Sequence, residues 1–225
     1  MHSILNFFKR EKEVSNLYIV SYPRSGHHAM IGFLNNITDF SNHYCEFYTC
    51  TRHNGEAIDC KQSKLSHRFK RHNCGAGNKY LKNHDFDLKL PFKSHHKYIV
   101  QYRHPFYSIE SWYEMESGKG KKTGDWAAFF NEKLGFWQKF MHKWVVKHGV
   151  KDNVILVNYD ELASRDKIIS IAEFADCDLK GNIENFRPNF KKQTRILKRT
   201  SLQMTEKELE ILPLLKKLGI KPIFN

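Results

Sequence analysis

Three short, nearly continuous apolar runs stand out along the chain: Leu17-Tyr18-Ile19-Val20, Lys97-Tyr98-Ile99-Val100-Gln101-Tyr102 and Val154-Ile155-Leu156-Val157-Asn158-Tyr159. Each is rich in β-branched residues and runs into a polar turn, the pattern of parallel strands buried on both faces. A helical pattern follows each run, at about 29–34, 109–115 and 167–174. Within residues 126–146, Phe129, Phe130, Leu134, Trp137, Phe140, Met141, Trp144 and Val145 recur at helical spacing and are assigned to the core. A last helix is predicted at roughly 206–218. Alternating strand and helix predicts an α/β fold, an open parallel sheet with helices on both faces. Ligands in such folds bind outside the carboxyl ends of the strands.

Residues 39–96 break this rhythm. They are rich in Cys, His, Lys, Asn and aromatics, with little periodicity. They read as a long crossover or insertion, centred on 39–80, that covers the site. Residues 117–124 form a Gly/Lys loop, and a basic stretch after Arg187 holds Lys191, Lys192, Arg195, Lys198 and Arg199. Neither an internal repeat nor an interdomain linker is evident, so residues 1–225 read as one domain.

The turn after the first run carries the candidate chemistry: Ser21-Tyr22-Pro23-Arg24-Ser25-Gly26-His27-His28. A strand, a tight Pro/Gly turn and a helix together aim backbone N–H groups at an anion. Arg24 adds a permanent charge, Ser25 a hydroxyl, and Gly26 allows close approach. Neither Gly-x-x-x-x-Gly-Lys-Ser/Thr nor Gly-x-Gly-x-x-Gly with a following acid occurs in the chain.

Charge agrees with an anionic partner. There are 37 Lys+Arg against 24 Asp+Glu, a net +13. This admits a nucleotide, a nucleic acid, an acidic glycan or a membrane surface. With 40% hydrophobic and 14% aromatic residues, general disorder is excluded. No apolar run is long enough to span a bilayer. Near the N-terminus the charges 9–13 follow a short apolar patch, the reverse of a signal peptide, so a cytoplasmic protein is expected.

Four segments, in order, resemble the sulfotransferases that use 3′-phosphoadenosine 5′-phosphosulfate (PAPS). Tyr22-Pro23-Arg24-Ser25-Gly26 resembles that family's 5′-phosphosulfate loop. Lys82-Asn83-His84 resembles its Lys-Thr-His element, which supplies the catalytic base. Arg103-His104-Pro105, with Ser111 eight residues after the arginine, resembles its 3′-phosphate motif. Asn158-Tyr159-Asp160-Glu161-Leu162 resembles its late Tyr-Glu-Asp-Leu. The resemblance spans about residues 16–176 and implies a P-loop-like sulfotransferase fold. It implies donor binding by Tyr22, Pro23, Arg24, Ser25, Gly26, His27, His28, Arg103, Ser111 and Tyr159. Catalysis would fall to His84, Arg24 and Lys82, with Asp85 and Asp87 as alternative bases. PAPS would be the donor and adenosine 3′,5′-bisphosphate (PAP) the product, with no metal required. The acceptor would be a hydroxyl, in second place an amine, of a sugar or small molecule.

The chain departs from the family at three points. His27-His28 stands in place of Thr-Thr, the C-terminal Arg-Lys-Gly element is missing, and the chain is short. Lys191 and Lys192, with Arg195, are candidates to substitute at the 3′-phosphate. Cys45, Cys50, Cys60 and Cys74 lie in the insertion without a Cys-x-x-Cys pair. Thiols, disulfides and a metal site all stay open for them, while isolated Cys177 is structural. A P-loop-like kinase and a basic nucleic-acid-binding module are the alternative functions.

Overall fold

The computed structural model describes residues 16–40, 44–45, 50–51, 57–58, 80–120, 124–180, 183–188 and 202–224. Five parallel strands form the body of a seven-stranded sheet, β1 (Leu17–Ser21), β2 (Tyr44–Cys45), β5 (Tyr80–Asn83), β6 (Lys97–Tyr102) and β7 (Val154–Asn158). Two antiparallel edge strands, β3 (Cys50–Thr51) and β4 (Ala57–Ile58), complete the order β4-β3-β2-β5-β1-β6-β7. The three strands read from the sequence are β1, β6 and β7. The fourth long strand corrects the reading of residues 39–96 as wholly irregular. Tyr80–Asn83 pairs in parallel with β1, Leu17 opposite Tyr80 and Val20 opposite Asn83, at the centre of the sheet.

Alternation along the strands sorts the core into two layers. Tyr18, Val20, Leu81, Tyr98, Val100 and Tyr102 face helices α2 (Pro105–Gly118), α3 (Trp126–Met141) and α5 (Leu202–Lys217). Leu17, Ile19, Tyr80 and Ile99 face α1 (His27–Ile37) and α4 (Arg165–Phe174). The apolar stripe at 126–146 is buried as expected at Phe130, Leu134, Trp137, Phe140, Met141, Trp144 and Val145. It is not one helix, however: α3 ends at Met141 and a π-helical turn, His142–Lys147, follows. The last helix begins at Leu202, earlier than its apolar pattern suggests.

Cys45 is buried on β2, in register with Cys50, and Cys177 is buried with its thiol 3.2 Å from the Tyr80 hydroxyl. Cys60, Cys74, Lys191, Lys192 and Arg195 lie outside the described residues. Among the described residues no group of three or more His, Cys, Asp or Glu is arranged to hold a metal, and no helix is long and apolar enough to cross a membrane.

Candidate active site

Four strand-to-loop junctions meet on one edge of the sheet: the turn after β1, the turn after β5, Arg103 after β6 and Tyr159 after β7. In the first turn Arg24 and Gly26 both take left-handed backbone conformations, φ 65° and 84°. Gly26 caps α1 without a side-chain bond, and the first turn of α1 holds no acidic residue. Its leading N–H groups therefore lack both a capping acceptor and a counter-charge from that helix. Two buried polar atoms at this turn, Ser25 Oγ and His27 Nδ1, have no hydrogen-bond partner. Orphaned buried polar atoms are costly, and an anion bound at this turn would satisfy such a pair.

The glycine has a second reason. A Cβ at Gly26 would stand 2.5 Å from Tyr159 Cδ2 and 2.6 Å from Cε2. This ring also meets Arg103, whose guanidinium carbon lies 3.9 Å from the Tyr159 centroid and 5.3 Å from that of Tyr107. Arg103 is thus gripped between rings, with its backbone carbonyl held by Trp137 Nε1 at 3.1 Å. Tyr159 joins the two cationic regions. Ser111 turns its hydroxyl to the first loop, where Arg24 Nε donates to it at 3.0 Å.

Tyr22 is placed differently from its neighbours in the motif. It is fully buried, its hydroxyl donates to the Lys133 carbonyl at 2.9 Å, and its amide donates to Gln101 O. Both of its donors are spent, so it anchors the turn to α3 and β6. Pro23 is buried, while Arg24 and His28 are exposed.

Lys82, on β5, is buried, and His84, just after the strand, is half-buried. His84 Nδ1 lies 2.7 Å from the Ser21 carbonyl and 3.1 Å from the Ser21 hydroxyl. A carbonyl only accepts, so Nδ1 carries the proton and Nε2 keeps a lone pair. Burial pulls this imidazole down to about 4, Lys82 and His28 push the same way, and the Ser21 bond opposes them. His27 is lowered well below the usual histidine value, first by burial and then by Lys82, His84 and His28. Its Nε2 bonds the Tyr44 hydroxyl. Both imidazoles are neutral near pH 7.

The two alternative bases are otherwise employed. Asp85 is buried, with Oδ2 accepting from Lys143 Nζ at 2.6 Å and Trp144 Nε1 at 2.8 Å, and Oδ1 from Leu90 N at 2.7 Å. Asp87 Oδ1 accepts from Lys89 N at 3.1 Å. The clamp on Asp85 escaped the sequence reading because its partners lie 58 and 59 residues away.

The family model for the sulfotransferase domain matches residues 15–218. The chain belongs to the sulfotransferase family. A sulfotransferase from Alicyclobacillus acidocaldarius has a similar fold, with a TM-score of 0.52 and 11% identity over 93% of this chain and 97% of that one. The mouse sulfotransferase SULT7A1, complexed with PAP, gives a TM-score of 0.47 at 19% identity, over 76% of this chain and 61% of the mouse chain. No curated protein matches the chain in sequence. As a sulfotransferase the chain is a transferase, and neither the kinase nor the nucleic-acid alternative gains support from these matches.

Proposed function

We propose that this sulfotransferase moves the sulfuryl group of PAPS to a hydroxyl of a small-molecule or carbohydrate acceptor, with His84 as general base. The observation that carries the reading is the pair of orphaned buried atoms, Ser25 Oγ and His27 Nδ1, at a helix N-terminus free of any side-chain cap. These groups fit a sulfate or phosphate, which accepts hydrogen bonds from every side. PAPS, when bound, supplies a sulfuryl group on a phosphate leaving group.

Ser25, Gly26, His27 and His28 would hold the 5′-phosphosulfate through the helix terminus and the two orphaned side-chain atoms. Arg24 cannot give up a proton, so its part is electrostatic, bearing on charge that builds during transfer. Lys82, close enough to His27 and His84 to depress both, would support the same charge. Arg103, held between Tyr107 and Tyr159, would take the 3′-phosphate, and Lys191 and Lys192 would add to it. The Ser21 carbonyl keeps the His84 proton on Nδ1, and Nε2 takes the proton of the acceptor hydroxyl.

Thermal melting at fixed salt, with PAP and with ATP as control, tests the reading. A ligand that binds only the folded chain stabilises it by about 2.7 kcal/mol at a hundredfold excess over its Kd. The expected result is a clear rise with PAP and little with ATP. Equal shifts with the two nucleotides, or none with either, would refute the donor assignment.

A further inference from the structure

Resting on the donor site proposed above, we infer that Gln101 is a positioning residue of the anion turn: it fixes the Ser25–Gly26 peptide so that the Gly26 N–H is aimed at the donor's 5′-phosphosulfate. Gln101 is fully buried in β6, an interior strand whose neighbours Ile99, Val100 and Tyr102 belong to the core. Tyr98, Val100 and Tyr102 face α2, α3 and α5. Alternation therefore turns Gln101 to the opposite side with Ile99, toward α1 and the turn that precedes it. Its register partner on β1 is Ser21, the last residue before that turn.

Gln101 holds the turn at both ends. Its backbone carbonyl accepts from Tyr22 N at 3.0 Å, and its side-chain Nε2 donates to the Ser25 carbonyl at 2.8 Å. Between these anchors Ser25 N donates to Tyr22 O at 3.2 Å and closes a four-residue turn, with Pro23 and the left-handed Arg24 at its centre. The partner decides the amide orientation. A carbonyl only accepts, so Nε2 and not Oε1 faces Ser25. Oε1 is then left buried without a partner. An unpaired buried oxygen is costly, so for stability alone an apolar side chain would serve this position at least as well. What the amide adds is its bond to Ser25.

That bond sets a direction. The C=O and N–H of a trans peptide point opposite ways. With the Ser25 carbonyl drawn onto the end of β6, the Gly26 N–H points away from the sheet. No acceptor among the described residues meets it. The direction has to be held, because residue 26 is a glycine. Rotating this peptide changes ψ of Ser25 and φ of Gly26 together, and glycine tolerates φ of either sign. The flipped peptide would turn the N–H inward and present the Ser25 oxygen to the anion, which it repels. Among the described residues, Gln101 is the only side chain bonded to either atom of this peptide. Side by side at the end of the sheet, Ser21 orients the proposed base and Gln101 orients the anion turn.

The test measures PAP affinity by calorimetry at fixed salt for the native chain, Gln101→Leu and Gln101→Glu. Tm without ligand is taken for each, and the Gly26 amide is followed by NMR in 15N-labelled protein. Gln101→Leu should raise the PAP Kd about tenfold, the effect of one well-aimed hydrogen bond to a charged group. Its Tm should move by no more than about 4 °C, since the orphaned Oε1 is removed along with the bond. The Gly26 amide proton should move downfield on PAP addition in the native chain and stay in place in Gln101→Leu. Gln101→Glu gives a signature that packing cannot imitate. Its protonated carboxyl donates to Ser25 O, and its carboxylate cannot. Its Kd relative to the native chain should therefore approach one as pH falls from about 8 to about 5.5, and grow as pH rises. An unchanged PAP Kd in Gln101→Leu, with the native chain binding, overturns the positioning role and leaves the donor reading standing. Equal losses in the two variants at every pH make Gln101 a packing residue and overturn it as well. A native chain that does not bind PAP overturns the donor reading and this inference with it.

Discussion

At His84 a half-buried imidazole is held neutral by its surroundings, and this has a thermodynamic consequence. Its value near 4 lies below the ordinary 6.5, so the unfolded chain takes up a proton first as the solution is acidified. Stability is therefore lost as pH falls from 6.5 toward about 4. His27, also lowered, contributes to the same slope. Denaturant melts across this range should show the native chain weakening, with a shallower dependence in His84→Gln. At neutral pH that variant should keep its PAP shift and lose turnover. An identical acid slope in the two proteins would mean that His84 is free to ionise in the fold. Turnover at the native rate would remove it as the base. Much of this site is local in sequence, since Lys82 and His84 are separated by one residue and Arg24 to His28 are contiguous. What the sequence does not carry is which nitrogen bears the proton, because that depends on Ser21, 63 residues away.

At the scale of elements, the π-helical turn after α3 holds the turn that follows the base. Lys143 and Trp144 are consecutive, yet both reach Asp85 Oδ2. An ordinary helix sets neighbours about 100° apart, so the wider turn serves this convergence. Lys143 uses its three protons on the turn 85–90 that carries Phe86 and follows His84. Replacing it with Met should leave the Asp85 carboxylate buried without its counter-ion, a loss of about 3–5 kcal/mol. Turnover should fall further than PAP affinity, since the damage lies on the β5 side of the site. Calorimetry and PAP titration of Lys143→Met would read both; a variant that loses stability but keeps kcat would make the clamp purely structural. The strands β1, β6 and β7 were legible because each carries a nearly continuous apolar, β-branched run. Tyr80–Asn83 was not, because its apolar run stops at Leu81, with a lysine at the next, buried position and a polar stretch before it. The helical stripe at 126–146 identified the buried side chains except Phe129, which is only partly buried, because a π turn keeps apolar residues near the same face. It concealed the change of winding at Met141.

For the whole molecule, the question is how the C-terminal segment communicates with a site formed by β1, β5 and β6. Glu208 on α5 is buried and gathers three donors: His104 Nε2 at 3.1 Å, Ile223 N at 2.8 Å and Phe224 N at 2.7 Å. Burial alone would raise this carboxyl, but the bonds from His104, Phe224 and Ile223 outweigh it and the group stays below its usual range. His104 accepts from Phe106 N through Nδ1, so its proton lies on Nε2, toward Glu208. One neutral histidine therefore caps α2 and ties down the last helix, immediately after the arginine proposed for the 3′-phosphate. Glu208→Ala should strand these donors and cost about 3 kcal/mol. For a chain of this size that lowers Tm by about 6–12 °C. If the C-terminal clamp also fixes Arg103, PAP affinity measured well below the melting range should weaken several-fold, because the α2 cap and Arg103 share one backbone junction. A lower Tm with unchanged PAP affinity would confine Glu208 to holding the last helix in place, and Arg103 would then be positioned by the Tyr107–Tyr159 grip and Trp137 without help from the C-terminal clamp.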